Sequence, residues 1–245
     1  MVVGASLPPP CAGGSILGVQ WRVLVPIKHG APAKTRLRPA TRDQAHHAEL
    51  VRAIQLDTLD AVLALRTHPL LGGLFVVSGQ AATRAATHPA TRAATALPAE
   101  IEVLPDAGGG LNPALAAAAA ELTRRYPGDG VVAMVGDLPA LRATDLLAVL
   151  HQAPAAGRGF VRDIDGRGTT LLAAGPGSPL VPLFGPDSAQ RHLDSGAREL
   201  DAAASLRCDV DSVADLHRCL QLGVGMLTSQ LVAHLVEQPL HGGVG

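Results

Sequence analysis

Short apolar runs alternate with longer stretches of helical spacing over most of this chain. Residues 21–26, 74–78 and 131–135 are rich in valine and leucine, the pattern of strands buried on both faces, and 101–104 predicts one more strand. Within 43–65, Leu50, Ile54, Leu56, Leu59, Val62 and Leu63 recur at helical spacing, which predicts a long amphipathic helix. Residues 114–125 predict another helix, with Asn112 as its N-cap and Pro113 in its first turn. A helix over 145–150 follows, capped by Thr144, and the low-complexity Ala-Thr-Arg repeat at 81–96 predicts a loose surface helix. After residue 157 the rhythm changes. Residues 159–164 and 169–174 predict two strands joined by Asp165-Gly166-Arg167-Gly168, with a helix over 188–200, a short strand over 206–210 and a helix over 213–222.

This order predicts an α/β fold: a single-domain, mostly parallel, Rossmann-like sheet with helices on both faces and a late antiparallel insertion, of the kind that forms a lid or acceptor pocket. Residues 1–20 are Gly/Pro-rich and aperiodic, an expected loosely ordered extension; 21–238 make the domain and 239–245 a flexible tail.

Composition narrows the function. Of 245 residues, 47% are hydrophobic but only 2% aromatic, so the core is aliphatic and stacking platforms for bases are scarce. A net charge of −1 excludes a sequence-independent nucleic-acid binder. Cys11, Cys208 and Cys219 have no metal-ligand spacing and read as reduced thiols of a cytoplasmic protein. No apolar run reaches the length of a membrane span, and the first residues lack the pattern of a signal peptide. His46 and His47, with no third ligand candidate nearby, read as surface residues of the first long helix.

The candidate chemistry lies at the strand ends. Asp137 follows the 131–135 run, at the carboxyl edge where ligands of open α/β sheets collect, although a Gly136-Asp137 pair also suits a plain turn. Residues 28–38 follow the first strand and hold Lys28, Lys34, Arg36 and Arg38; the loop can meet a triphosphate, yet matches neither a P-loop nor a dinucleotide fingerprint. Gly108-Gly109-Gly110 opens a helix and permits close backbone approach to an anion or a base edge. In Phe184-Gly-Pro-Asp-Ser, Pro186 and Ser188 stand at a helix start whose free N–H groups favour an anion. Asp209 and Asp211, two apart on the expected strand, share a face, where like charges need a cation between them. With Asp137 they can converge on one or two Mg²⁺, and Asp211 can also cap the helix at 213–222. Together these elements suit nucleotidyl transfer.

At this point the sequence resembles the guanylyltransferases of deazaflavin coenzyme (F-420) biosynthesis, relatives in fold of the molybdopterin-guanine and sugar nucleotidyltransferases. The resemblance runs from about residue 21 to 232. It is carried by Val25-Pro-Ile-Lys with Ala33-Lys-Thr-Arg-Leu, Leu111-Asn, Gly136-Asp-Leu-Pro-Ala-Leu, Gly168-Thr, Phe184-Gly-Pro-Asp-Ser with Arg191-His, and Leu206-Arg-Cys-Asp-Val-Asp. Ser212-Val213 stands where related chains often have Thr-Pro. The resemblance implies transfer of GMP from GTP to the phosphate of phosphoenolpyruvate, or alternatively of 2-phospho-L-lactate or 3-phosphoglycerate, with release of pyrophosphate. It implies a phosphoacid site at Thr169, Gly185 and Ser188, and metal ligands at Asp137, Asp209 and Asp211. Lys28, Lys34 and Arg36 would hold the GTP phosphates, and the stretch with Gly109, Leu111 and Asn112 would approach the guanosine. A hand-off of the product to a downstream deazaflavin-transferring enzyme is also implied, and an Ala/Leu-rich surface helix suits a homodimer. Molybdenum-cofactor or sugar-phosphate nucleotidyl transfer and a non-catalytic nucleotide-binding scaffold are the rival expectations.

Overall fold

The computed structural model describes residues 19–27, 34–79 and 97–236. Their centre is a seven-stranded sheet of β1 (Trp21–Pro26), β2 (Leu71–Ser78), β3 (Glu102–Pro105), β4 (Gly130–Met134), β5 (Arg158–Arg162), β6 (Thr169–Ala174) and β7 (Arg198–Glu199), in the order β3-β2-β1-β4-β6-β5-β7. β1 lies between β2 and β4 and is parallel to both, whereas β6 is antiparallel to β4 and β5. The expected antiparallel pair is therefore no lid. It enters the main sheet and widens it.

Alternation along the strands decides what each face buries. Val23, Val25, Val132, Met134, Leu171 and Ala173 point to one side, where they meet Leu59 and Val62 of α1 (Gln44–Leu63) and Leu146 and Val149 of α3 (Ala143–Gln152). Leu24, Val131, Ala133, Leu172 and Ala174 point to the other, against Leu115, Ala118 and Leu122 of α2 (Leu111–Arg125) and Ala189 of α4 (Ser188–Asp194). Burying such side chains contributes about 1.5–3 kcal/mol each, which is why these strands are apolar on both faces. A third apolar cluster lies off the sheet. It joins Leu37 of a 3-10 turn (Thr35–Ala40), Leu50 and Ile54 of α1, Leu216 and Cys219 of α6 (Val213–Leu222) and Val232 of α7 (Met226–Val236).

That third cluster corrects the reading of His46 and His47, which are buried. α7 covers their part of α1, and His46 Nε2 lies 3.3 Å from the Leu231 carbonyl. Other boundaries differ as well. Residues 206–210 form no strand, since α5 (Ala204–Arg207) is followed by an unpaired segment. The helix expected over 188–200 ends at Asp194, before Gly196 with φ 85° and the strand β7. α3 begins one residue before Thr144, which does not cap it, and α2 begins at Leu111 with Gly110 in the cap position, so Asn112 is inside the helix. The expected surface helix at 81–96, the tail at 239–245, residues 1–18 of the extension and Lys28 lie outside the described residues. No described helix is long and apolar enough to cross a membrane.

Candidate active site

β4 delivers its chain to the carboxyl edge of the sheet and stops at a turn, where the Leu138 N–H donates to the Thr58 hydroxyl at 2.9 Å and the Leu141 N–H to the Leu138 carbonyl at 3.0 Å. This turn presents Asp137. Its carbonyl accepts the Val210 N–H at 3.0 Å, which lays the segment after α5 beside it. As a result Asp137, Asp209 and Asp211 each offer an oxygen atom within 4.8 Å of the others. The convergence was expected; the strand thought to produce it is absent. Asp211 is also free of the capping role, because Ser212 and Asp215 form a reciprocal capping box on α6.

Like charges this close need a counter-charge, and Lys34 supplies one. Its backbone adopts the left-handed conformation, φ 55°. Its Nζ donates to Asp137 Oδ2, to the Val210 carbonyl and, at 2.9 Å, to Asp211 Oδ1. Burial opposes the charge on Lys34, but Asp137 and Asp211 more than offset it and hold the ammonium above its usual range. Asp209 has the opposite fate: burial first, and then Asp137 and Asp211, push its carboxyl up to about 8. One cation therefore does not neutralise the cluster. Asp137 Oδ1 is buried without a hydrogen-bond partner, an arrangement that costs free energy unless something charged meets it. Three carboxylates with one oxygen left bare fit a hard divalent cation.

Thr169 opens β6 directly opposite the end of β4, where the Val135 N–H donates to the Thr170 carbonyl at 2.9 Å. Its buried hydroxyl lies 2.9 Å from His192 Nδ1 on α4, and Ser188 is the buried first residue of that helix. Thr169 and Ser188 are thus brought together, with Gly185 (φ 122°) in the loop leading to α4. Two of the N–H groups at this helix start are spent within the protein, however. The Ser188 N–H donates to the Gly185 carbonyl at 3.1 Å and the Ala189 N–H to the Arg167 carbonyl at 3.0 Å, so neither is free for an anion.

On the remaining side, Gly108, Gly109 and Gly110 have φ of 82°, 76° and 100°, a run that only glycine adopts without strain. Asn112 Oδ1 accepts the Phe184 N–H at 2.9 Å and its Nδ2 donates to the Phe184 carbonyl at 3.0 Å. Asn112 is therefore the tie between the glycine loop and the Gly185 loop, and its amide is engaged within the protein rather than open to a base. Leu111 packs partly buried against the α2 face of the sheet. Arg36 sits exposed on the 3-10 turn and makes no ion pair among the described residues.

Sequence reasoning missed Thr58 and Asp163, and it met His192 only within the Arg191-His landmark, with no role attached. Asp163 accepts the N–H groups of Arg167 at 2.8 Å and Gly168 at 2.6 Å, and so shapes the turn leading to Thr169. Its spacing from Gly166 and Gly168 is the one signal that pointed to it. His192 is fully buried between Phe160 and Phe184, with ring centroids 5.8 and 5.5 Å away. Burial, then Arg191 and Arg158, push it down to about 4, so the ring is neutral.

No protein-family model matches the chain. Phosphoenolpyruvate guanylyltransferase of Streptomyces coelicolor is 42% identical to it over 220 residues, 89% of this chain and 98% of that protein. The protein of that name from Streptomyces scabiei is 43% identical over 224 residues, covering 89% and 98%, and the one from Nocardia farcinica is 39% identical over 212, covering 85% and 89%. Among solved structures, a protein of Desulfovibrio desulfuricans described as a nucleotide-diphospho-sugar transferase superposes with a TM-score of 0.62 at 17% identity, over 89% of this chain and 95% of its own. That likeness concerns the fold.

Proposed function

The chain belongs to the phosphoenolpyruvate guanylyltransferase family, and from that premise we propose that it transfers GMP from GTP to the phosphate of phosphoenolpyruvate, releasing pyrophosphate, in the making of a deazaflavin coenzyme. Asp137, Asp209 and Asp211 would hold Mg²⁺. When bound, that ion neutralises triphosphate charge and favours in-line displacement at the α-phosphorus. Lys34 stands against the same carboxylates and pairs with the phosphates, with Arg36 on the exposed turn beside it. Lys28 belongs to the same set of cations. The glycine backbone at 108–110 and Leu111 lie along the guanosine. Thr169, Gly185 and Ser188 hold the phosphoacid across the end of β4.

The reaction forms one P–O bond and breaks another. A phosphate oxygen of the acceptor attacks the α-phosphorus and pyrophosphate leaves. No general base is needed, because the acceptor phosphate is already largely ionised at neutral pH, so the protein contributes orientation and charge. The product is then passed to a deazaflavin-transferring enzyme.

The observation that carries this reading is the bare Asp137 Oδ1 within the carboxylate cluster of a chain that matches these relatives nearly end to end. Mass spectrometry of the product, with phosphoenolpyruvate, 2-phospho-L-lactate and 3-phosphoglycerate competing for GTP and Mg²⁺, tests it. The phosphoenolpyruvate adduct should dominate. Dominance of another adduct would reassign the acceptor, and absence of any GMP adduct would overturn the reading.

A further inference from the structure

The hydrogen bonds of His192 decide the polarity of a group in the acceptor site. The Leu183 N–H donates to His192 Nε2 at 3.0 Å. A backbone N–H can only donate, so Nε2 must be the bare nitrogen of the neutral ring and Nδ1 must carry the proton. Nδ1 lies 2.9 Å from Thr169 Oγ1, so its N–H faces that oxygen, with the Ser188 carbonyl as a second acceptor of the same N–H. The Thr169 hydroxyl cannot then donate to the ring. Its own hydrogen is left over, and among the described residues Thr169 Oγ1 has no second hydrogen-bond partner. The ring cannot turn to escape this role, being fully buried between Phe160 and Phe184.

We propose that His192 is a positioning residue that fixes the Thr169 hydroxyl as a hydrogen-bond donor to the anionic phosphoacid. This rests on the reading of Thr169 as an acceptor-site contact. His192 itself touches no substrate. The chain Leu183 N–H to Nε2, Nδ1–H to Oγ1, Oγ1–H to the ligand runs in one direction, so each link polarises the next. An acceptor lacking negative oxygens would gain little from a hydroxyl held this way.

Two measurements test the proposal. In ¹⁵N-labelled wild-type protein, two-bond imidazole correlations should show Nδ1 protonated and Nε2 bare for His192; the reverse tautomer would overturn it without recourse to any variant. In steady-state kinetics, Thr169→Val and His192→Phe should each raise the KM for phosphoenolpyruvate roughly ten- to hundred-fold, as for loss of a hydrogen bond to a charged group, while the KM for GTP stays put. The double variant should be no worse than Thr169→Val alone. His192→Asn, which returns an amide N–H near the Nδ1 position, should recover most of the loss. A raised KM in Thr169→Val with an unchanged one in His192→Phe would sink this inference alone. An unchanged KM in Thr169→Val would overturn the acceptor-site reading, and this inference with it.

Discussion

Asp137 has one carboxylate oxygen on Lys34 and the other bare, an asymmetry that suits the proposed metal role better than that of a plain turn residue. Replacing it with alanine should lower turnover by at least about 10²–10³-fold, by analogy with loss of one charge-stabilising group. Stability should be little changed, since relief of repulsion with Asp209 and Asp211 offsets the lost Lys34 ion pair, and Lys34 keeps Asp211 and the Val210 carbonyl. Near wild-type turnover of folded Asp137→Ala would refute the metal assignment. His192 gives a second prediction. Its pKa falls from the ordinary 6.5 to about 4 on folding, so above pH 6.5 the neutral ring contributes fully, and the contribution is lost as pH falls toward 4. The limit is on the order of 3 kcal/mol. Urea midpoints should therefore drop between pH 7 and 5 more in wild type than in His192→Gln; equal drops would contradict it. The convergence of Asp137, Asp209 and Asp211 was legible in part: Asp137 follows a strand, a local signal, whereas the strand expected to carry Asp209 and Asp211 is absent. Asn112 was misread, because its partner Phe184 is remote in sequence and nothing local distinguishes a cap from a tether.

At the scale of elements, β1, β4 and the β5–β6 pair were legible within a residue or two, since a run of apolar residues needs no knowledge of its neighbours. The segment 204–210 was not. Its apolar residues divide between two clusters, Leu206 joining the core on one sheet face and Cys208 and Val210 the third cluster, and periodicity does not reveal which surface a short run will meet. The same blindness hid the burial of His46 and His47 under α7. That helix is anchored by Asp57, a buried residue of α1 whose carboxylate accepts the N–H groups of Leu227 at 3.2 Å and Thr228 at 2.8 Å. Gly225 is required beside it, because an added Cβ would lie 2.3 Å from the Asp57 carboxyl carbon. Asp57→Ala should cost about 1–3 kcal/mol through the orphaned N–H groups, read as a lower urea midpoint. Activity at low temperature should persist. An unchanged midpoint would show that the cap is dispensable.

For the whole molecule, the α/β class and the position of the site at the strand ends followed from alternation alone. The strand order did not, because β6 entering between β4 and β5 depends on pairing that no local pattern encodes. The carboxylate cluster also sits apart from the two sheet cores, so metal and fold should separate experimentally. Chelation by EDTA should abolish GMP transfer and lower the Tm by only a few degrees, with the far-UV spectrum unchanged, and Mg²⁺ should restore both activity and Tm. Collapse of the spectrum on chelation would mean that the ion is structural instead.

The reactive cluster takes Lys34 from early in the chain, Asp137 from its middle, and Asp209 and Asp211 from near its end, on a segment packed under α6 and against α7. During synthesis all seven strands have been made before residue 209 emerges. A nascent chain can therefore have most of its sheet in place while its carboxylates are still apart. The cluster closes only once residues 209–211 are made and their segment packs with α6 and α7. A ribosome stalled a few dozen codons early would hold a chain with its strands made and its three carboxylates not yet together.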